Sequence, residues 1–256
     1  MMMVSWKLDD IGQSHGGNPA PKGELGLIAS DLAALWRIPR LRRALLGYAG
    51  VIGVLVVAAL NVIPALRVAA FLSLGLLLFL PTEYLVHRYA LHSHAYLNSR
   101  WLARLWIRLH YAHHRVPDRE DVILASPPTL LILIAITNPP FMLIFGPATL
   151  IAGAAAVLIP FTFFYETVHF SAHQNIAFRS AYFRNRRKLH LLHHFHNERC
   201  NYGICGSMFD RLAGTFASRA ADVERSATVM NLGYDEGLAR SKPLVRIEYE
   251  RSLAQR

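Results

Sequence analysis

Two segments, HYAHH over His110, His113 and His114 and HLLHH over His190, His193 and His194, repeat one side chain at i, i+3 and i+4. Those positions share a face of an α-helix, so each segment is expected to point three imidazoles at a single spot. Two shorter pairs precede them, His87 and His92 in HRYALH and His169 and His173 in HFSAH. Ten of the 13 histidines therefore lie in four compact groups. A first-row metal takes roughly four to six ligands and imidazole suits iron, zinc, copper and nickel, so ten imidazoles can fill most of two coordination spheres. One pair breaks the pattern. Five residues are about 140° on an ideal helix, so His87 and His92 can share a metal only through a bulge or a helix end; otherwise they serve different metals.

The rings also need partners for their second nitrogens, which fix tautomer and orientation. Candidates are Glu83, Glu166 and Asn197, with Asp118, Glu120, Asp121 and Glu198 as further possibilities. His94 and His196 are expected at the margin of the site or on the surface, and His15, in a polar glycine-rich stretch, outside it.

These groups need elements to carry them, and composition indicates which. Apolar residues make up 53% of the 256, mean hydropathy is +0.26, and 27 basic residues face 17 acidic ones. This is the balance of a membrane protein with basic flanks. The first forty residues lack an apolar core, so no cleavable signal peptide is expected. Residues 1–22 are expected to be disordered, and Glu24–Trp36 to form a short interfacial helix followed by Arg37, Arg40, Arg42 and Arg43. Residues 44–63 are an uncharged stretch of membrane-spanning length, and residues 68–86 are a second, with Glu83 near its end turned inward. Between His92 and His110, Trp101, Leu102, Leu105, Trp106 and Leu109 are assigned to one side of an amphipathic helix and Arg100, Arg104 and Arg108 to the other. Apolar runs over 129–145 and 149–165, broken at Asn138-Pro139-Pro140, form either two spans or a shallow hairpin. Cys200 and Cys205 are read as reduced and structural.

The expected fold is thus all-α and integral to the membrane, with about four transmembrane helices and a helical cap bearing a histidine-rich two-metal site. Its parts are a polar segment with an interfacial helix at 1–43, a membrane catalytic domain at 44–216 and a charged tail at 217–256. Arginine is abundant before Ala44, between His87 and Ser126 and after His169, and absent from the turn at 138–148. The positive-inside rule then puts both termini and every histidine group on the cytoplasmic side.

The order HRYALH, HYAHH, HFSAH, HLLHH, followed by NYG at Asn201–Gly203 and FDRLAGTF at Phe209–Phe216, resembles the fatty acid hydroxylase/sterol desaturase superfamily of membrane di-metal enzymes. It is most similar to the fatty acid 2-hydroxylase branch, including the double proline Pro127-Pro128 after the second group. The resemblance covers Thr82 to Phe216. It implies that His87, His92, His110, His113, His114, His169, His173, His190, His193 and His194 bind two iron ions that use O₂ and two electrons to hydroxylate a lipid C–H bond, that of a fatty acyl chain. Zinc can occupy such a site in purified protein, since imidazoles do not select iron over zinc. His94 and His196 are additions to the family pattern, and the cytochrome b5 domain often fused to eukaryotic 2-hydroxylases is absent from these residues.

Other enzymes with the same ligands are desaturases and sterol or carotenoid oxygenases, separated only by product; a non-catalytic metal-binding membrane protein is the remaining alternative. A b-type cytochrome would need facing histidines at mid-membrane depth, and a transporter would need ligands along the spans. Expected partners are a membrane lipid substrate, anionic headgroups and a separate electron donor of ferredoxin or cytochrome b5 type, because no dinucleotide fingerprint or cysteine cluster is present. No nucleic-acid partner is expected.

Overall fold

Backbone groups inside hydrocarbon must bond to one another, which drives uncharged stretches of this length into helices. The computed structural model describes residues 23–254 apart from 118, 120 and 121, and the regular structure among them is all helix with no strand. The expectations for residues 1–22, including His15, and for Asp118, Glu120 and Asp121 lie outside the described residues.

Helix α1 (Glu24–Trp36) is held by more than an interface. Its buried Asp31 accepts the backbone N–H groups of Arg179 and Ser180 at 3.0 and 2.9 Å and the Ser180 hydroxyl at 2.6 Å. A carboxylate is thereby set at the N-terminus of the helix carrying HLLHH, where the helix dipole favours negative charge.

Among the described residues, three helices are long and apolar enough to cross a membrane: α2 (Pro39–Leu60), Ala65–Leu91, and Pro147–Ala172. The first begins earlier than its uncharged core, because Pro39 suits a first helical position and Arg40, Arg42 and Arg43 form its opening turns. A further candidate is the pair α6 (Pro127–Thr137) and α7 (Pro139–Phe145), bent by 41°. The bend has a local cause: Pro139 and Pro140 interrupt the hydrogen-bond ladder, and the buried Asn138 donates its amide to the Leu150 carbonyl at 3.2 Å. Within the second span, α3 (Ala65–Leu85) packs against α8 (Leu150–Pro160), where a Cβ on Gly75 would lie 2.2 Å from the Ala156 carbonyl oxygen. Small residues allow that approach.

Helix α4 (Arg100–Trp106) corrects one assignment: Trp106 is fully buried, whereas Trp101 is 66% exposed. Five residues apart, the two indoles point about 140° from each other and cannot share a face. Trp106 Nε1 donates to Leu91 O at 2.7 Å. The charged stretch after Phe216 folds back onto this region. Leu232, Tyr234 and Val245 pack with Trp106, Tyr111 and Ala112, and the buried Glu248 of the C-terminal helix Leu244–Ala254 meets Arg104 at 2.6 Å.

Candidate metal centre

Three of the helices that carry histidines contain a π-helical turn. Val86–Leu91 (π1) continues α3, Ile107–Tyr111 (π2) joins α4 to α5 (Ala112–Arg115), and Phe161–Glu166 (π3) joins α8 to α9 (Thr167–Ala172). Such turns insert one extra residue and are frequent at functional sites. In π1 the widened turn answers the problem of His87 and His92. The His92 N–H reaches the His87 carbonyl at 3.2 Å, an i to i+5 bond, and their Nε2 atoms come to 3.2 Å. The fourth histidine helix, α10 (Ala181–Phe195), is plain α-helix, with Ser180 capping its N-terminus.

Ten of the histidines form two groups of five, and within each group one nitrogen from each ring lies within 4.8 Å of the others. His87, His92, His110, His114 and His193 make the first, and His113, His169, His173, His190 and His194 the second. The expectation that each triplet aims at one spot is therefore corrected. Relative to residue i, position i+4 lies about 40° to one side and i+3 about 60° to the other. The structure uses this divergence: His110 and His114 join the first group while His113 joins the second, and on α10 His190 and His194 join the second while His193 joins the first. Both helices are thus shared by both groups, and His114 stacks on His194 across the boundary with ring centroids 4.0 Å apart.

The donor set fits a pair of first-row metal ions. Nε2 atoms of His87, His92 and His110 lie 3.0 to 3.2 Å apart, those of His113 and His169 2.9 Å apart, and those of His173 and His190 2.8 Å apart. Both ring nitrogens of His114 and His194, and Nε2 of His193, are buried without a hydrogen-bond partner. Buried polar atoms ordinarily have partners, and converging lone pairs satisfied by a cation explain so many exceptions in one place. Burial holds His110, His113, His114, His173, His190 and His194 well below the ordinary imidazole range, reinforced by neighbouring rings, and pushes His193 down to about 4. Neutral imidazole is the form that ligates metal.

The outer partners come from backbone that sequence reading passed over. Nδ1 of His87 lies 2.5 Å from Tyr202 O and Nδ1 of His193 lies 2.7 Å from Cys200 O. A carbonyl only accepts, so each Nδ1 carries the proton and each Nε2 keeps its lone pair for the group. The loop supplying those carbonyls is clamped by two carboxylates. Glu83 accepts the N–H groups of Ile204 and Cys205 at 2.5 and 2.9 Å, and Asp210 those of Tyr202 and Gly203 at 2.9 and 2.8 Å. Asn201 turns the loop at φ 55°, in the left-handed region that Asn tolerates. The NYG motif carried this signal without its mechanism.

Glu83 does turn inward, but toward this loop rather than a ring. Glu166 accepts the Ala125 N–H at 3.2 Å, Asn197 donates to Glu224 O at 2.8 Å, and Glu198 accepts from Ser226 and Thr228 at 2.9 and 2.8 Å. These hydrogen bonds go to backbone and hydroxyls, not to imidazole. His94 and His196 lie outside both groups, with Nε2 on Leu232 O at 2.7 Å and Val223 O at 2.8 Å, and so tie down the C-terminal segment. Cys200 and Cys205 are free and buried.

An apolar cavity of about 580 Å³ opens beside the histidines, with His110, His113 and His169 in its wall and Arg108 among the polar groups lining it. A second cavity, of about 360 Å³, runs from His87 along α3 to Gly75.

The family model described as fatty acid hydroxylase matches residues 72–215, more than half of the chain. The fatty acid 2-hydroxylase of Rattus norvegicus is 26% identical over 161 residues, covering 63% of this chain and 43% of that protein. The dihydroceramide fatty acyl 2-hydroxylase FAH2 of Arabidopsis thaliana is 26% identical over 192 residues, covering 75% of this chain and 77% of that one. This chain therefore spans less than half the length of the rat protein. A solved structure described as full-length scs7p, with only its hydroxylase domain visible, shares the fold at a TM-score of 0.59 and 22% identity over 75% of this chain and 69% of that one.

Proposed function

This chain belongs to the fatty acid hydroxylase family, and we propose that it hydroxylates a membrane lipid on its acyl chain, at the 2-position for which its relatives are named. The observation that carries this reading is the apolar cavity whose wall includes His110, His113 and His169, because it gives an acyl chain a dry path to the histidine groups. The ten histidines would hold two iron ions. When bound, redox-active iron supplies the O₂ activation and C–H oxidation that protein side chains cannot perform.

The chain's own residues do the rest. Tyr202 O and Cys200 O hold the protons of His87 and His193 on Nδ1. Leu133, Ile136 and Phe161 line the cavity with apolar surface that excludes water from the substrate. Electrons come from a separate donor of ferredoxin or cytochrome b5 type. A cytoplasmic side for the site and both termini is part of the same reading, supported by the basic segments around the histidine groups and the positive-inside rule.

The test is to express the chain, extract lipids and purify the protein loaded separately with iron and with zinc. Iron-loaded protein should yield an acyl chain heavier by one oxygen, and zinc-loaded protein none, since zinc has no redox chemistry. Equal turnover with zinc would overturn the oxygenase reading, and a product lacking two hydrogens would assign a desaturase.

A further inference from the structure

The two cavities adjoin, since Val86, Leu91, Leu133, Ile136, Phe161 and Tyr165 line both. Resting on the proposed hydroxylase reading, we propose that the second cavity receives the far end of the acyl chain and that the Phe141 ring at its floor sets the longest chain accepted.

Polarity sets the direction. The first cavity carries the exposed Arg108, whose guanidinium can meet a carboxyl or amide head. The second is lined almost wholly by apolar side chains, and its one carboxylate, Glu83, is already engaged by Ile204 and Cys205. A polar head there would go unpaired, whereas a hydrocarbon tail loses nothing.

The length is fixed by α3. Its lining residues extend from His87, in the first histidine group, to Gly75, about 18 Å at 1.5 Å per residue. Beyond Gly75 the space is filled. Buried Phe71 packs edge-on to Phe145 at 5.2 Å and tilted on Phe141 at 6.2 Å, backed by Val68, Ala152 and Ala156. The side walls cannot give at that depth, because Gly75 and the Ala156 backbone already touch. Phe141, on the short helix beyond the Asn138 bend, both lines the cavity and belongs to the floor, so its ring is the part whose size can change.

The experiment offers the full chain in membranes a ladder of saturated fatty acids and records the chain-length distribution of hydroxylated product by mass spectrometry. Phe141→Ala should move the preference toward longer chains and Val157→Phe, which adds a ring at another lining position of the second cavity, toward shorter ones, each by about tenfold or more, since one methylene in an apolar pocket is worth about 10- to 200-fold. Phe141→Leu, a milder change, covers the case in which Phe141→Ala fails to fold. In parallel, a long-chain fatty acid with a terminal diazirine is photolysed on the purified protein, a readout that needs no turnover. Label should fall on peptides containing Gly75–Phe79 or Pro139–Phe145. Label on the Arg108 or Ser252 peptides, or unchanged distributions in folded variants, would overturn the assignment. Absence of any hydroxylated lipid from the wild type, with label still at the floor, would instead strike the hydroxylase reading and leave the acyl site standing.

Discussion

His113 and His114 are neighbours in sequence and belong to different histidine groups: Nε2 of His113 lies 2.9 Å from that of His169, while the His114 ring stacks against His194 at the boundary and closes the group of His87, His92, His110 and His193. If each group holds one ion, the two substitutions remove different metals. His113→Ala and His114→Ala should each lower bound metal from about two ions per chain to about one. Metal analysis of the purified variants checks this, and retention of both ions in His113→Ala would refute the ligand assignment.

Much of this arrangement was legible in the sequence. Residue type and spacing identified all ten histidines now found in the two groups, and uncharged length identified the spans. The division into groups was not legible, because helical spacing says which residues share a face and not that a shared face can serve two centres. The pairing of His87 with His92 depended on a π-turn, which five-residue spacing permits but does not dictate. The ring partners were missed for a different reason. Tyr202 and Cys200 act through carbonyl oxygens, and backbone chemistry leaves no trace in side-chain identity.

Glu83 reaches the first histidine group only through the loop it clamps. Glu83→Ala would leave the N–H groups of Ile204 and Cys205 unpaired, at about 1–3 kcal/mol each, and free the carbonyl that orients His87. Metal should be lost from one group before the other, giving a partly loaded protein. Glu83→Gln, which keeps an acceptor oxygen, should restore most of the binding; equal loss in both variants would argue for a direct role of the charge.

His94 and His196 offer the contrasting case. Each bonds a carbonyl of the C-terminal segment, so replacement by alanine should cost about 1 kcal/mol of stability and no metal. A thermal melt beside metal analysis separates the two effects. Metal loss in His196→Ala would bring that residue into the site.

Metal-free protein should be acid-labile. Histidine in an unfolded chain titrates near 6.5. In the folded chain burial pushes His193 down to about 4 and holds His113, His114, His190 and His194 well below their usual range. Between those values the unfolded state binds more protons, so stability is complete above about pH 6.5 and falls as pH drops toward 4. Unfolding temperatures of chelator-treated protein in detergent should decline over that interval and stay level above it. A flat profile would mean that the rings are not buried without metal.

The electron donor should be met by only part of the basic face. Arg186 is buried against Ser207 at 2.7 Å, and Arg104 is paired with Glu248 at 2.6 Å, so neither presents a free charge to a partner. Arg179 and Arg184 are exposed and flank the start of α10, the helix that carries His190, His193 and His194. Charges of this kind mainly accelerate encounter with an acidic protein and are screened over about 8–10 Å at physiological salt. Reduction by an acidic ferredoxin or cytochrome b5 should therefore slow as salt rises. It should also slow in the Arg179→Gln, Arg184→Gln double variant while bound metal stays unchanged. Lipid headgroups compete for the same arginines at about 1 kcal/mol per charge. Reduction measured in neutral detergent and in anionic nanodiscs should accordingly differ, with the detergent sample the faster. A rate indifferent to salt, to the two substitutions and to lipid charge would assign this surface to the membrane and send the search for the donor site elsewhere.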